Sequence, residues 1–173
     1  GQISAGLNDT LYASYTDRDD ATDIRSDTAL ILGLPPTPSS IQLFEDASYT
    51  DDVDTYQTRD IMYVWVSDTD ENLNSSVADT VLVTVYVGNG VAEGGSAAGL
   101  VIDTEVLVLT ESATSNGIFR SGAVIVTDTV AAPGVNDGRV SWGRGDTLTV
   151  IYGDPNSNDT TTDTALALEI ATT

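Results

Sequence analysis

Short β-branched runs, each closed by an acidic or glycine-rich turn, limit the folds open to this chain more than any other feature. They predict strands over Leu11 to Tyr15, Asp27 to Leu32, Ile61 to Val66, Thr80 to Val87, Thr104 to Leu109, Ile118 to Val126, Arg139 to Trp142, Thr147 to Tyr152 and Thr164 to Ile170. No segment sustains a helical period. Asn116-Gly117 reads as a type I′ hairpin turn, and Pro133-Gly134 and the glycine-rich stretch Gly88 to Gly99 are further breaks. Regular spacing of short strands predicts an all-β, antiparallel sandwich. Aromatic residues make up only 6% of the chain, so burial has to come mainly from Val, Leu, Ile and Ala.

Gly33 to Ser40 holds three of the five prolines and reads as a stiff, extended linker. It separates an N-terminal strand-loop-strand unit, residues 1–32, from a sandwich module, residues 41–173. The two parts are related. Gly1 to Asp17 aligns with Gly138 to Asp154 with eight of 17 positions identical, and Asp27-Thr-Ala-Leu30 repeats as Asp163-Thr-Ala-Leu166 with one residue fewer between. The chain therefore covers about one period of a repeating sequence plus an overlap. Residues 1–32 then either close a preceding module of a tandem array, add strands to a neighbouring subunit, or pack as an old duplication within one sandwich.

The 27 acidic residues face only six basic ones, a net charge of −21, and the chain has no Lys, His or Cys. Nucleic acid is excluded as a partner, and so are anionic membranes, since nothing balances their phosphate charge. No apolar run approaches the roughly 18 residues that span a bilayer, so membrane insertion is not expected. Starting at Gly1 with no signal segment, the chain reads as processed or excerpted. Self-repulsion of this size calls for compensation by bound cations, high salt or dilution of charge over the surface, with bound cations the first choice.

The acids gather in four loops that open after a strand: from Asp17 with Asp19 and Asp20 to Asp27, from Asp51 to Asp60, from Asp68 to Asp79, and from Asp154 to Asp163. Calcium takes six to eight oxygens, and Asp or Asn at alternate positions of a tight loop turns short oxygen ligands toward one point. Asp68, Asp70, Asn72 and Asn74 have that spacing, with Asp79 returning from the next strand. So do Asp154, Asn156 and Asn158, with Asp159 beside them and Asp163 returning. Leu73 stands where an EF-hand needs Gly, so the expectation is a calcium loop between strands, with turn capping by Asp and Asn as the alternative. The first loop departs from the pattern, with Arg18 beside its opening acid and Ala21 at the third alternate position.

Enzymatic chemistry is not expected, because no His, Cys or Lys can serve as nucleophile or base. Glu105 and Glu111, which flank one predicted strand, are the only carboxylate pair with any claim to glycosidase geometry. Trp65 and Trp142, with Tyr63, Tyr86 and Tyr152, read as core or as a sugar-stacking platform. Arg59 and Arg120 read as surface ion-pair partners. Asn8, Asn74 and Asn158 head N-x-[ST] sequons in turns, where a glycan would be accessible.

Asp68-x-Asp70-x-Asn72, Asp79 to Val85, Thr110 to Phe119 and Gly145 to Tyr152 together resemble tandem β-sandwich modules of large secreted prokaryotic surface proteins. The resemblance covers residues 41–173 as one module and residues 1–32 as the tail of another. It implies an immunoglobulin-like sandwich, an extracellular place on a cell surface or in a filament, and calcium that stiffens the module. The expectation is a structural subunit that associates head to tail with copies of itself through strands near its termini. The alternative is an adhesin module that binds a glycan or a protein surface.

Overall fold

A computed structural model describes residues 3, 5, 8–33, 35–88, 101–127, 136–142 and 145–168. These residues form twelve strands and no helix. The chain divides into two compact units, Gly1–Pro35 and Pro36–Thr173, with the division inside the proline-rich segment.

The larger unit is a β-sandwich. One layer contains β3 (Ser40–Phe44), β5 (Ile61–Ser67), β9 (Val124–Thr127) and β10 (Arg139–Ser141). The other runs β7 (Val101–Glu111), β6 (Thr80–Gly88), β11 (Thr147–Gly153), β12 (Thr160–Leu168) and β4 (Thr55–Gln57). The short strand β8 (Ile118–Arg120) pairs with both β5 and β7 and joins the layers. Pairing is antiparallel except for β9 with β10 and β4 with β12, which are parallel.

Period-two alternation explains the core. Val81, Val83, Val85 and Val87 of β6 are buried while Leu82 points outward, and Leu148, Val150 and Tyr152 of β11 face the same interior. Met62, Val64 and Val66 of β5 close it from the opposite layer. Each such side chain, fully buried, contributes about 1.5–3 kcal/mol. Trp142 and Tyr56 stack obliquely in this core, their ring centroids 6.0 Å apart.

Some elements differ from the sequence expectation. The run Ile118 to Val126 is two strands, because the Ser121 hydroxyl accepts the Val64 N–H at 2.8 Å where a ladder carbonyl would, and the chain steps aside there. Asn116-Gly117 is no two-residue turn but the end of a longer loop closed by Ser112 N–H donating to the Ile118 carbonyl at 2.7 Å. Strands β3 and β4 lie in segments too short for a periodic signal. Pro133-Gly134 and most of Gly88 to Gly99 lie outside the described residues.

The smaller unit is a hairpin of β1 (Thr10–Thr16) and β2 (Ile24–Leu30), every strand residue of which is exposed. The second strand begins at Ile24, earlier than its apolar residues suggest, because Arg25 and Ser26 pair with Tyr15 and Ser14. This hairpin repeats β11–β12 register for register. Thr10 pairs Leu30 as Thr147 pairs Leu166, Ala13 pairs Asp27 as Val150 pairs Asp163, and Thr16 pairs Ile24 as Gly153 pairs Thr160. The flanking bonds repeat too. Ile31 N–H donates to the Asp9 carbonyl at 2.8 Å and Ala167 N–H to the Asp146 carbonyl at 2.9 Å. Asn8 and Gly145, at matching positions, both take the left-handed backbone, with φ of 65° and 80°.

Candidate metal site

The loop leaving β5 and the loop leaving β11, one from each layer, meet at one end of the sandwich. There Asp68, Asp70 and Asp154, all buried, each present a carboxylate oxygen, and the three oxygens lie within 4.8 Å of one another. Alternation sets this up. Tyr152 faces inward on β11, so two residues later Asp154 also turns inward as the loop opens.

Asp68 is fully buried and sits at the centre of the chemistry. Its Oδ2 accepts the Tyr152 hydroxyl at 2.7 Å, while its Oδ1 is buried with no hydrogen-bond partner. Burial, then the approach of the Asp70 carboxyl, lifts this carboxyl to about 7 against the opposing pull of the Tyr152 hydroxyl. The charges of Asp154 and Asp70 push it the same way. Asp70 moves oppositely: burial works against ionisation, but the neighbouring Asp68 carboxyl and two bonds from Thr37 hold it below its ordinary value. Those bonds come from the Thr37 hydroxyl at 2.7 Å and N–H at 3.1 Å.

Asp154 is fixed by its own loop. Its Oδ1 accepts the N–H of Asn156 at 2.8 Å and of Ser157 at 3.1 Å, and its Oδ2 accepts the Ser157 hydroxyl at 2.5 Å. Asn72 is half-buried. Its Nδ2 donates to Ser115 at 3.2 Å, and its Oδ1 is the second buried oxygen with no partner. An unpartnered buried oxygen costs about 1–3 kcal/mol, and a bound cation removes that cost while neutralising the carboxylates. An open groove lined by Pro36, Thr37, Pro38, Ser157, Asn158 and Asp159 runs beside the hydroxyls that hold Asp70 and Asp154.

Behind the cluster, Gly117 sets the position of Asp68. Asp68 N–H donates to the Gly117 carbonyl at 2.8 Å, and Gly117 holds a φ of 62° with its Cα close against the Asp68 backbone. A Cβ there would stand 2.7 Å from the Asp68 carbonyl oxygen. Buried Glu111 anchors that loop by accepting N–H bonds from Asn116 at 2.7 Å and Gly117 at 2.8 Å. Burial alone would raise Glu111, yet these bonds and one from Asp79 hold it below its ordinary value. Glu105 similarly accepts the N–H of Asp137 and Gly138, both at 2.9 Å. Both glutamates thus tie loops together, a role that strand-end position alone did not suggest.

The two expected loops therefore contribute to one acidic cluster, not two separate rings. Asp79 accepts the Asn74 N–H at 2.7 Å and Asn74 accepts the Ser76 N–H at 3.0 Å, so both shape the loop beyond the cluster. Asn156 reaches the Asp70 carbonyl through its Nδ2 at 3.3 Å. Asn158 is an exposed turn residue with φ of 55°, and Asp159 caps Thr160 N–H at 2.8 Å. Asp163 lies within β12, where it accepts the Leu43 N–H at 2.9 Å and burial raises its carboxyl. In the first hairpin, Asp17 accepts the Asp19 N–H at 2.8 Å, Asp20 accepts from Thr22, and Asp27 accepts the Thr28 N–H at 2.9 Å. Asp19 is exposed in that turn.

Trp142 and Tyr152 are buried in the core, while Trp65, Tyr63 and Tyr86 are half-buried in strands. The Arg120 guanidinium lies over the Tyr49 ring, 4.6 Å from its centroid. Asn8, Asn74 and Asn158 are all exposed. The sequence matches no protein-family model and no curated protein.

Proposed function

We propose that this chain is a structural module of an extracellular filament or surface array, joined to its neighbours through strands near its ends and stiffened by calcium. The observation that carries the reading is the repeated hairpin. A unit that occurs once inside a sandwich and once outside it, with the same register, supports an architecture of repeating modules.

Calcium suits the donors. They are hard oxygen ligands from Asp68, Asp70 and Asp154, and the chain contains no His or Cys to favour a softer ion. The cluster lies between loops of the two layers, so a bound ion would lock one end of the sandwich. An immunoglobulin-like kinship and an adhesin role remain parts of the same family of readings, and the buried Trp142 and Tyr152 weigh against the stacking surface that adhesion to glycans needs.

Sedimentation of the full chain at high concentration, with calcium and then with a chelator, tests the assembly. Linear oligomers that shorten on chelation are expected. A strictly monomeric chain under both conditions contradicts self-association.

A further inference from the structure

In the larger unit, the β11–β12 hairpin does three jobs. It inserts between β6 and β4, it buries Leu148, Val150, Tyr152, Ala165 and Ala167, and it delivers Asp154 to the acidic cluster. The β1–β2 hairpin carries apolar groups at the same register positions, three of the five identical. Leu11, Ala13, Tyr15, Ala29 and Ile31 stand where those five stand, and Asp17 stands where Asp154 stands.

The matching extends to bonds within the loops. Asp17 accepts the N–H two residues on at 2.8 Å, as Asp154 does at 2.8 Å. Asp17 N–H donates to the Asp23 carbonyl at 3.0 Å, as Asp154 N–H does to Asp159 at 2.9 Å. Asp27 and Asp163 each accept the following threonine N–H, at 2.9 and 2.8 Å. Yet Leu11 is 37% and Tyr15 62% exposed, where their counterparts are at most 1% exposed. A two-stranded hairpin buries no core by itself and is at best marginal in water.

We infer that β1–β2 completes a second sandwich of the same build as residues 36–173, taking there the place that β11–β12 takes here, and that Asp17 supplies the third carboxylate of that sandwich's cation site. Tyr15 would then donate to the residue corresponding to Asp68, and Asp27 would accept the N–H corresponding to Leu43. This rests on the calcium reading above and adds to it: joining two modules and completing a metal site become one event. It also accounts for Ala21, which matches Asn158, an exposed turn residue of the β11–β12 loop.

In the single chain, the receiving place is already filled by β11–β12, and docking of another copy's hairpin proceeds by exchange. A chain with an open place tests the inference directly. Residues 36–137 are fused ahead of Gly1, so that Gly1 follows Asp137 as Gly138 does here and β1–β2 stands in the place of β11–β12. The probe is calcium, read by equilibrium titration and thermal melting.

Two calcium ions per fused chain are expected, against one for the unextended chain, and the added segment should melt cooperatively. Asp17→Asn and Asp154→Asn should each remove one of the two ions, and the double variant both. A second fusion, with residues 36–168 in front, shows whether the added segment folds when its own hairpin follows. If that fusion gains a cooperative transition and the first does not, the inference is overturned. An Asp17→Asn fusion that still binds two ions overturns the shared site. If the unextended chain binds no calcium, the cation reading fails separately, and the melting of the added segment still decides whether the hairpin docks.

Discussion

The Tyr152 hydroxyl donates to Asp68 Oδ2 at 2.7 Å across the interior of the sandwich, linking the end of β11 to the end of β5. It partners only one of the two buried oxygens of that carboxylate, and the other has no hydrogen-bond partner. Tyr152→Phe leaves Oδ2 buried and unpartnered, and should cost about 1–3 kcal/mol of stability in chelator. Asp68→Asn should behave differently. It removes a like charge from the empty cluster, so the melting temperature in chelator should hold or rise, while the rise on adding calcium is lost. Asp68→Asn protein that still gains stability from calcium would remove Asp68 from the site.

The pH dependence follows from the same carboxyl. Its folded value of about 7 lies above its ordinary 3.8, so the metal-free folded state keeps a proton that the unfolded chain has lost. Stability in chelator should therefore fall as pH rises from about 4 to about 7, then level off. Asp163, also raised, adds to this trend, whereas the lowered Asp70 and Glu111 act only below the ordinary carboxylate range. Calcium competes with that proton, so its affinity should rise about tenfold per pH unit up to about 7. Urea melts in chelator at pH 5 and pH 8 check the sign, and greater stability at pH 8 would contradict it.

Gly117 is the backbone hinge behind the cluster. Gly117→Ala forces a Cβ against the Asp68 carbonyl at a φ of 62° and should cost about 1–3 kcal/mol. Calcium affinity should drop as well, because the Asp68 backbone has to shift. A variant with unchanged stability and unchanged calcium binding would show that the loop after β7 has no part in placing Asp68.

Leu148 and Leu11 occupy matching positions in two hairpins of unequal burial, 0% and 37% exposed. Leu148→Ala should cost the sandwich about 2–5 kcal/mol, and Leu11→Ala should leave the main unfolding transition of the unextended chain where it is. Equal losses would mean that the first hairpin already belongs to the same cooperative core.

The strands that are legible in the sequence are those whose pattern is intrinsic. Val81, Val83, Val85 and Val87 alternate cleanly, and so do Leu148, Val150 and Tyr152. The three residues of β4 carry too short a pattern, and the break at Ser121 depends on a hydroxyl entering the ladder of β5, which no periodicity reports. In the acidic loops, Asp68, Asp70 and Asp154 are readable as candidate ligands from the alternate spacing of Asp and Asn after each strand. Their meeting is not readable, since it depends on two loops from different layers ending at the same corner. The inward glutamates of β7 are equally hidden, because a carboxylate at a core position looks like an error until the loop N–H groups that it holds are known.

The most direct measurement is the melting temperature of the full chain in calcium and in chelator at neutral pH. With calcium at a hundred times its dissociation constant, stabilisation of about 2.7 kcal/mol is expected, a rise of roughly 5–10 °C for a unit of this size. That rise should vanish in Asp154→Asn. An identical melting temperature in calcium and in chelator would contradict a sandwich braced by a cation between Asp68, Asp70 and Asp154.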